Sequence, residues 1–215
     1  MRRLFISFIF ILFLLPGFAQ NFKLGIQLSP AISTNRIESN VRDNYITDNG
    51  SKIKLRFGPI ADFSITDTYY FSTGILYSPK TVNIKYGDAS GIVQEQEYKL
   101  SYLQVPISLK LFTNEIALDT KIYVQMGVLA EFNITEKEKE FYDTPFITNF
   151  NFFDTSLLLG AGVDYGIGTN TVIFAGLSYN RGLINTIVDY NSIDPTYDDP
   201  TIHSDLFNVD IGVKF

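Results

Sequence analysis

Eight stretches of this chain alternate apolar and polar residues with a period of two, and that pattern constrains the fold more than any motif. Phe22, Leu24, Ile26 and Leu28 alternate with Lys23, Gly25, Gln27 and Ser29. Ile53, Leu55, Phe57, Pro59, Ala61, Phe63 and Ile65 share one face. Opposite them stand Lys52, Lys54, Arg56, Gly58, Asp62, Ser64 and Thr66, with Ile60 the exception. At the C-terminus Phe207, Val209, Ile211, Val213 and Phe215 alternate with Asn208, Asp210, Gly212 and Lys214. A helix of 3.6 residues per turn would scatter such residues around its whole circumference, so these are strands.

Five further segments follow the same rule. Residues 98–112 carry Leu103, Val105, Ile107, Leu109 and Leu111 on one face, with Lys110 opposite. Residues 122–134 carry Val124, Met126, Val128, Ala130 and Phe132, with Glu131 opposite. Residues 153–167 carry Leu157, Leu159, Ala161, Val163 and Tyr165, with Asp164 opposite, and residues 171–184 carry Ile173, Ala175, Leu177 and Tyr179. In residues 69–86 the apolar phase moves from Phe71, Ile75 and Tyr77 to Val82, Ile84 and Tyr86. A bulge near Lys80 is predicted to cause that flip.

The connections alternate in length. Short turns fall at Thr66-Asp67-Thr68, around Thr113-Asn114-Glu115 and at Gly168-Thr169-Asn170; long polar loops fall at 34–51, 87–97, 135–152 and 187–203. Short and long connections on opposite ends describe an all-β, eight-stranded antiparallel up-and-down barrel. Met1-Arg2-Arg3 followed by an apolar run from Leu4 to Leu15, Pro16-Gly17 and small residues at Gly17 and Ala19 predicts a signal peptide over 1–19 and a barrel domain over 20–215. That run is too short for a spanning helix, which needs about 20 apolar residues. Cleavage after Ala19 removes two arginines from 17 basic residues against 23 acidic ones, giving a mature charge of −8.

Alternation alone leaves two facings open. A lipocalin-like secreted barrel would point the apolar stripe inward around a ligand. A transmembrane barrel would point it at lipid. The polar face carries both charge signs together with glycine: Lys54, Arg56, Asp62, Lys110, Glu131, Asp164, Asp210 and Lys214. A narrow lumen would pair those charges. Aromatics gather near strand ends, at Tyr69, Tyr70, Phe71, Phe112, Phe150, Phe152, Phe153, Phe207 and Phe215, where interfacial girdles belong. Both features favour lipid outside, and eight strands leave no wide pore.

The final alternating strand ends on Phe215 itself and resembles the signal that outer-membrane assembly machinery reads. Tyr102-Leu103-Gln104-Val105-Pro106-Ile107-Ser108-Leu109-Lys110 resembles a strand of the PorT-like outer-membrane β-barrel family of Bacteroidota. So do Gly74-Ile75-Leu76-Tyr77-Ser78-Pro79-Lys80, Leu157 to Tyr165 and Ala175 to Asn185, although Thr81 stands where the family usually has Gly. The resemblance spans residues 20–215 and implies the fold and the outer membrane. A few relatives assist secretion linked to gliding; no functional residues carry over.

No catalytic, cofactor or metal residue is assigned. With no Cys and a single His, thiol catalysis and sites built on two imidazoles are excluded. His203, Ser204 and Asp205 are consecutive, so on a strand His203 and Ser204 point to opposite faces. The acidic loop 189–199 matches no calcium-loop spacing, and its cation binding is left open. A pI near 4.8 argues against nucleic acid. The expected partners are outer-membrane lipid, the assembly machinery at Phe215, and a protein at the long loops. A structural or interaction role ranks first, a secretion accessory second, and a small-ligand or transport barrel third.

Overall fold

The computed structural model describes residues 22–38, 46–87, 93–138, 146–168, 170–190 and 200–215. The expected signal peptide over 1–19 and the tips of the four long loops lie outside them. Among the described residues twelve strands are formed: β1 (Phe22–Glu38), β2 (Ile46–Asp48), β3 (Lys52–Ser64), β4 (Tyr69–Gly74), β5 (Leu76–Gly87), β6 (Val93–Phe112), β7 (Thr120–Glu138), β8 (Ile147–Phe150), β9 (Phe153–Gly166), β10 (Val172–Gly182), β11 (Ile187–Tyr190) and β12 (Thr201–Lys214). All pairings are antiparallel, and β1 pairs with both β3 and β12, so the sheet closes on itself. β4 and β5 are one wall strand interrupted at Ile75, and β2 is a short addition to β5. The wall therefore has eight strands, in the order β1, β3, β4 with β5, β6, β7, β9, β10, β12.

The register gives the shape. From Lys23 the pairs run to Asp62, Ser72, Ser108, Gly127, Leu158, Asn180, Leu206 and back to β1 at Ser33. One circuit thus shifts the chain by 33 − 23 = 10 residues. Eight strands with that shear tilt by about 40° and set a backbone radius of about 8 Å. At that tilt Phe22, Phe63, Phe71 and Phe215 lie level at one rim, and Phe132 and Phe153 lie about 25 Å above them, the height of an apolar membrane band.

The apolar stripes face outward along this band. Leu24, Ile26, Leu55, Phe57, Val124, Met126, Leu177, Val209 and Ile211 are exposed, while Arg56, Asp62, Lys110, Glu131, Asp164, Asp210 and Lys214 are buried inside. Phe22, Phe63 and Phe71 form a row on adjacent strands, with centroids 5.9 and 6.3 Å apart, and Phe132 packs on Phe152 and Phe153 at the other rim. Three of the nine expected girdle aromatics lie elsewhere. Tyr70 and Phe112 fall on inward positions and meet edge to face at 5.0 Å in the periplasmic mouth. Phe150 is buried above the membrane.

The predicted bulge near Lys80 is absent. β5 pairs with β6 without a shift from Leu76–Gln104 to Gly87–Val93. Ser72, Leu76, Ser78, Lys80, Val82 and Ile84 all point inward. What changes is the surroundings, not the facing. Beyond the bilayer the outside is water, so the inner face becomes the apolar one. A bulge occurs instead on β7, where Ser101 pairs with Thr135 and Tyr102 with Asn133, leaving Ile134 as the extra residue.

Strand length explains this second environment. A tilted spanning strand needs about 9–11 residues. β1, β6 and β7 have 17, 20 and 19, so they project well past one membrane face. There Val82, Ile84, Tyr98, Leu100, Tyr102, Phe146, Ile147, Phe150, Ile187 and Ile202 form a conventional buried core. The expected loops 135–152 and 187–203 contribute β8 and β11, which pair with each other in a separate two-stranded sheet. β12 also begins earlier than its outward pattern suggests, at Thr201.

Candidate functional site

The inward side chains close the barrel in layers. At the periplasmic end a mouth of about 240 Å³ is lined by Lys23, Tyr70, Phe112, Glu115, Asp119 and Lys121. Its inner limit is a charge network. Lys110 Nζ lies 3.0 and 3.2 Å from the two oxygens of Asp62, and Lys214 Nζ donates to Asp62 at 3.0 Å and to Asp164. Ser72 donates a further bond to Asp62. Both ammonium groups also lie over rings: Lys110 over Tyr123 at 5.3 Å and Lys214 over Phe174 at 5.2 Å.

Glycine makes room for those rings. A Cβ on Gly162 or Gly176 would come within 2.5 or 2.7 Å of the Tyr123 hydroxyl, and one on Gly212 within 2.5 Å of the Phe174 ring. Gly162, Gly176 and Gly212 are therefore seats for these two rings.

In the middle, Arg56 pairs with Asp210 at 2.8 Å, and Gln27 and Ser29 donate to the same carboxylate oxygen at 2.9 and 2.6 Å. Ile60, Leu76, Leu129 and Leu158 fill the remaining section, leaving a cavity of about 20 Å³, room for roughly one water. Ile60, which broke the alternation of its strand, is an inward filler packed with Leu76 and Phe174.

Toward the outer end Lys80 Nζ forms ion pairs with Glu131 at 2.6 Å and with Asp154 at 3.6 Å, all three residues being fully buried. Gln104 donates to Glu131 at 3.1 Å, Ser156 also donates to Glu131, and Lys80 sits 4.6 Å over the Tyr102 ring. Lys80 and Asp154 were not expected in the lumen. The signal for Lys80 was its even spacing with Ser72, Leu76 and Ser78, which the apolar Val82 and Ile84 obscured.

Above this the cap core covers the mouth. The Phe146 and Ile147 amides donate to Gln96 Oε1 at 2.8 Å and to the Tyr98 hydroxyl at 2.9 Å. Asn151 N donates to Thr186 O at 2.9 Å, and Asn185 Oδ1 accepts from the Ile187 and Ile202 amides at 3.2 and 2.9 Å. These bonds satisfy loop backbone that the apolar core would otherwise strand.

Electrostatically, buried pairs gain roughly what they lose in desolvation, but an unpaired buried charge costs several kcal/mol. The lumen networks thus specify one closed arrangement more than they add stability. The outer rim is different. Arg36 and Tyr179 donate to Asp205, each at 2.9 Å, and the Gly182 amide donates to it at 3.0 Å. The three side chains are on the outward-facing side of the wall, where Arg36 and Tyr179 cover the buried Asp205. His203 also faces outward, its Nδ1 3.0 Å from Ile184 O, whereas Ser204 is buried inside, 3.4 Å from Asn35 Oδ1. The barrel wall separates His203 from Ser204. Of the acidic loop, only Asp189 and Tyr190 lie among the described residues.

Residues 18–188 match the family described as outer membrane protein beta-barrel domain. The chain belongs to that family. It is a protein of the Gram-negative outer membrane. Among solved structures it is similar to OprG of Pseudomonas aeruginosa, at TM-score 0.61 and 11% identity over 91% of this chain and 97% of that one. It is similar too to Neisserial surface protein A, at TM-score 0.52 and 14% identity over 90% and 95%. At such identities these likenesses show the fold alone. A search of the curated proteins finds no match.

Proposed function

We propose that this member of the family is a closed outer-membrane barrel that acts through its extracellular cap, as a structural or protein-interaction module rather than as a pore or an enzyme. The observation that carries the reading is the filling of the lumen. Among the described residues three ion-paired layers and an apolar core lie in series, and the mid-barrel cavity beside Arg56 and Leu129 is about 20 Å³. A transport path would have to break several buried charge pairs at once. The cap, by contrast, is a folded platform built on an apolar core, and the long connections that enter it exceed in length what joining adjacent strands requires. The C-terminal strand is the part that the assembly machinery would read, since Phe215 lies exposed beside the β1–β12 seam and exchanges backbone bonds with Leu24 at 2.7 and 3.2 Å.

The test is solute uptake by proteoliposomes. Vesicles carrying the folded protein should swell in isotonic sugar or amino-acid solutions no faster than empty ones. Swelling that depends on the protein would replace this reading with the transport one.

The motif Tyr102 to Lys110 supports a second reading, a PorT-like accessory of protein secretion. Co-purification with an export complex after mild solubilisation would favour it. A barrel that elutes alone would count against it.

A further inference from the structure

The periplasmic mouth holds charges that lumen closure does not use. Its volume is about 240 Å³, against about 20 Å³ for the mid-barrel cavity, so it is a pocket and not a packing gap. Lys23 on β1 and Lys121 on β7 both line it. These strands are four apart in the eight-stranded wall, so the two lysines stand on opposite sides. From the tilt and register they stand at the same height, with Cα atoms about 16 Å apart. Two side chains reaching inward across that width leave a gap fit for one carboxylate.

The charge count favours an anion there. Lys23 lies cross-strand from Asp62 and Lys121 from Asp164, but both carboxylates are already bridged by Lys214, and Asp62 by Lys110 as well. The inner mouth and its floor thus set four lysines against two aspartates. Neither Lys23 nor Lys121 has an ion pair among the described residues. The opposite charge lies further out. The turn between β6 and β7 carries Glu115 and Asp119 to the rim, exposed and also without ion pairs among the described residues. Asp119 has φ +55°, the one positive value for a non-glycine among the described residues. Its carbonyl accepts from the Gly166 amide at 2.8 Å, and the Thr120 amide donates to Ala117 O at 3.0 Å. A left-handed aspartate is held there only because the turn is pinned to β9, which fixes the acid at the mouth.

We infer that the mouth captures the C-terminal end of a short peptide, free or attached to the cell wall, that carries an ammonium on the residue before its last. The carboxylate enters first and lies between Lys23 and Lys121. The ammonium stays at the rim against Glu115 and Asp119. Tyr70 and Phe112, edge to face at 5.0 Å, give the aliphatic stem an apolar wall. The layering of charge sets the direction, because a peptide entering amine first would meet the lysines. The closed lumen beyond stops the chain, so an end is bound and nothing passes.

The experiment is an NMR titration of the folded barrel in lipid nanodiscs with Nα-acetyl-lysyl-alanine. Binding should be saturable and one to one. Converting the carboxylate to an amide should weaken it about tenfold or more, the loss of one charge-assisted contact. Acetylating the ε-amine should weaken it severalfold. Lys23→Met with Lys121→Met should abolish the preference for the free acid over the amide. Glu115→Gln with Asp119→Asn should abolish only the preference for the free ε-amine. Each variant should keep its heat-modifiable band, which shows that the barrel has folded. No saturable binding, equal affinity for acid and amide, or wild-type binding by the lysine variant would overturn the site. Retention of the wild type, but not of the lysine variant, on isolated cell-wall sacculi would support the site and assign the peptide to the wall. Binding of the soluble peptide without retention on sacculi would support it and assign the ligand to free peptide ends.

Discussion

Replacing Lys214 with Met tests whether the lumen charges hold one another. Lys214 is 1% exposed, and its ammonium bridges Asp62 at 3.0 Å and Asp164. At 3.0 Å and an effective dielectric of about 20, each attraction is worth about 5 kcal/mol before desolvation is counted. Removing the ammonium recovers its own desolvation cost but strands a carboxylate. Asp62 keeps Lys110, whereas Asp164 loses its partner. The expected net loss is about 3–5 kcal/mol, the usual cost of a broken buried pair. Lys214→Met with Asp164→Asn removes the stranded charge, so the double variant should regain at least half of that loss. Reversible denaturant unfolding in lipid vesicles, followed by the gel shift between folded and boiled forms, measures all four corners of the cycle. A single-variant loss below about 1 kcal/mol, or a double variant no better than the single, would refute the charge-network reasoning.

Four further outcomes are expected. Arg in place of Val105 or Val209, outward positions near mid-membrane, should cost about 2–4 kcal/mol in the same assay; no cost would mean that these faces are wet. Gly212→Val should abolish the heat-modifiable band, because a Cβ there meets the Ile26 carbonyl oxygen at 2.2 Å and the Phe174 ring at 2.5 Å; normal folding would show that β12 does not approach β1 and the ring as closely as described. Phe146→Ala with Phe150→Ala should expose the cap to added protease while leaving the barrel core resistant, and a cap of unchanged resistance would argue against its apolar core. N-terminal sequencing of the protein recovered from the outer membrane should begin at Gln20, and a retained leader would contradict the cleavage reading.

The wall of the barrel was legible because lipid and lumen impose opposite polarities on successive residues, and a period of two records this directly. Lys110, Asp164 and Asp210 could be placed inside from that parity alone. The cap was not legible for the same reason. Where β5 leaves the bilayer the polarity rule inverts, so Val82 and Ile84 resembled outward residues after a phase change when they are inward residues in a new environment. Lys80 and Asp154 sit at that boundary and were hidden by it. Which charges pair was also out of reach, because Lys214 and Asp62 are 152 residues apart in sequence and only the shear of 10 brings them level. The grouping of Arg36 with Asp205 and Tyr179 was out of reach for the same reason, because only the closure of β1 on β12 brings them to one rim.

Single-channel recording across a planar bilayer tests the closed lumen most directly. Purified, refolded protein should insert, as shown by its heat-modifiable band in recovered membranes, and should give no current steps above the bare bilayer across the usual voltage range. Reproducible steps that scale with salt concentration would contradict the account, because a conducting barrel cannot keep Arg56, Lys80, Lys110 and Lys214 locked in the pairs described.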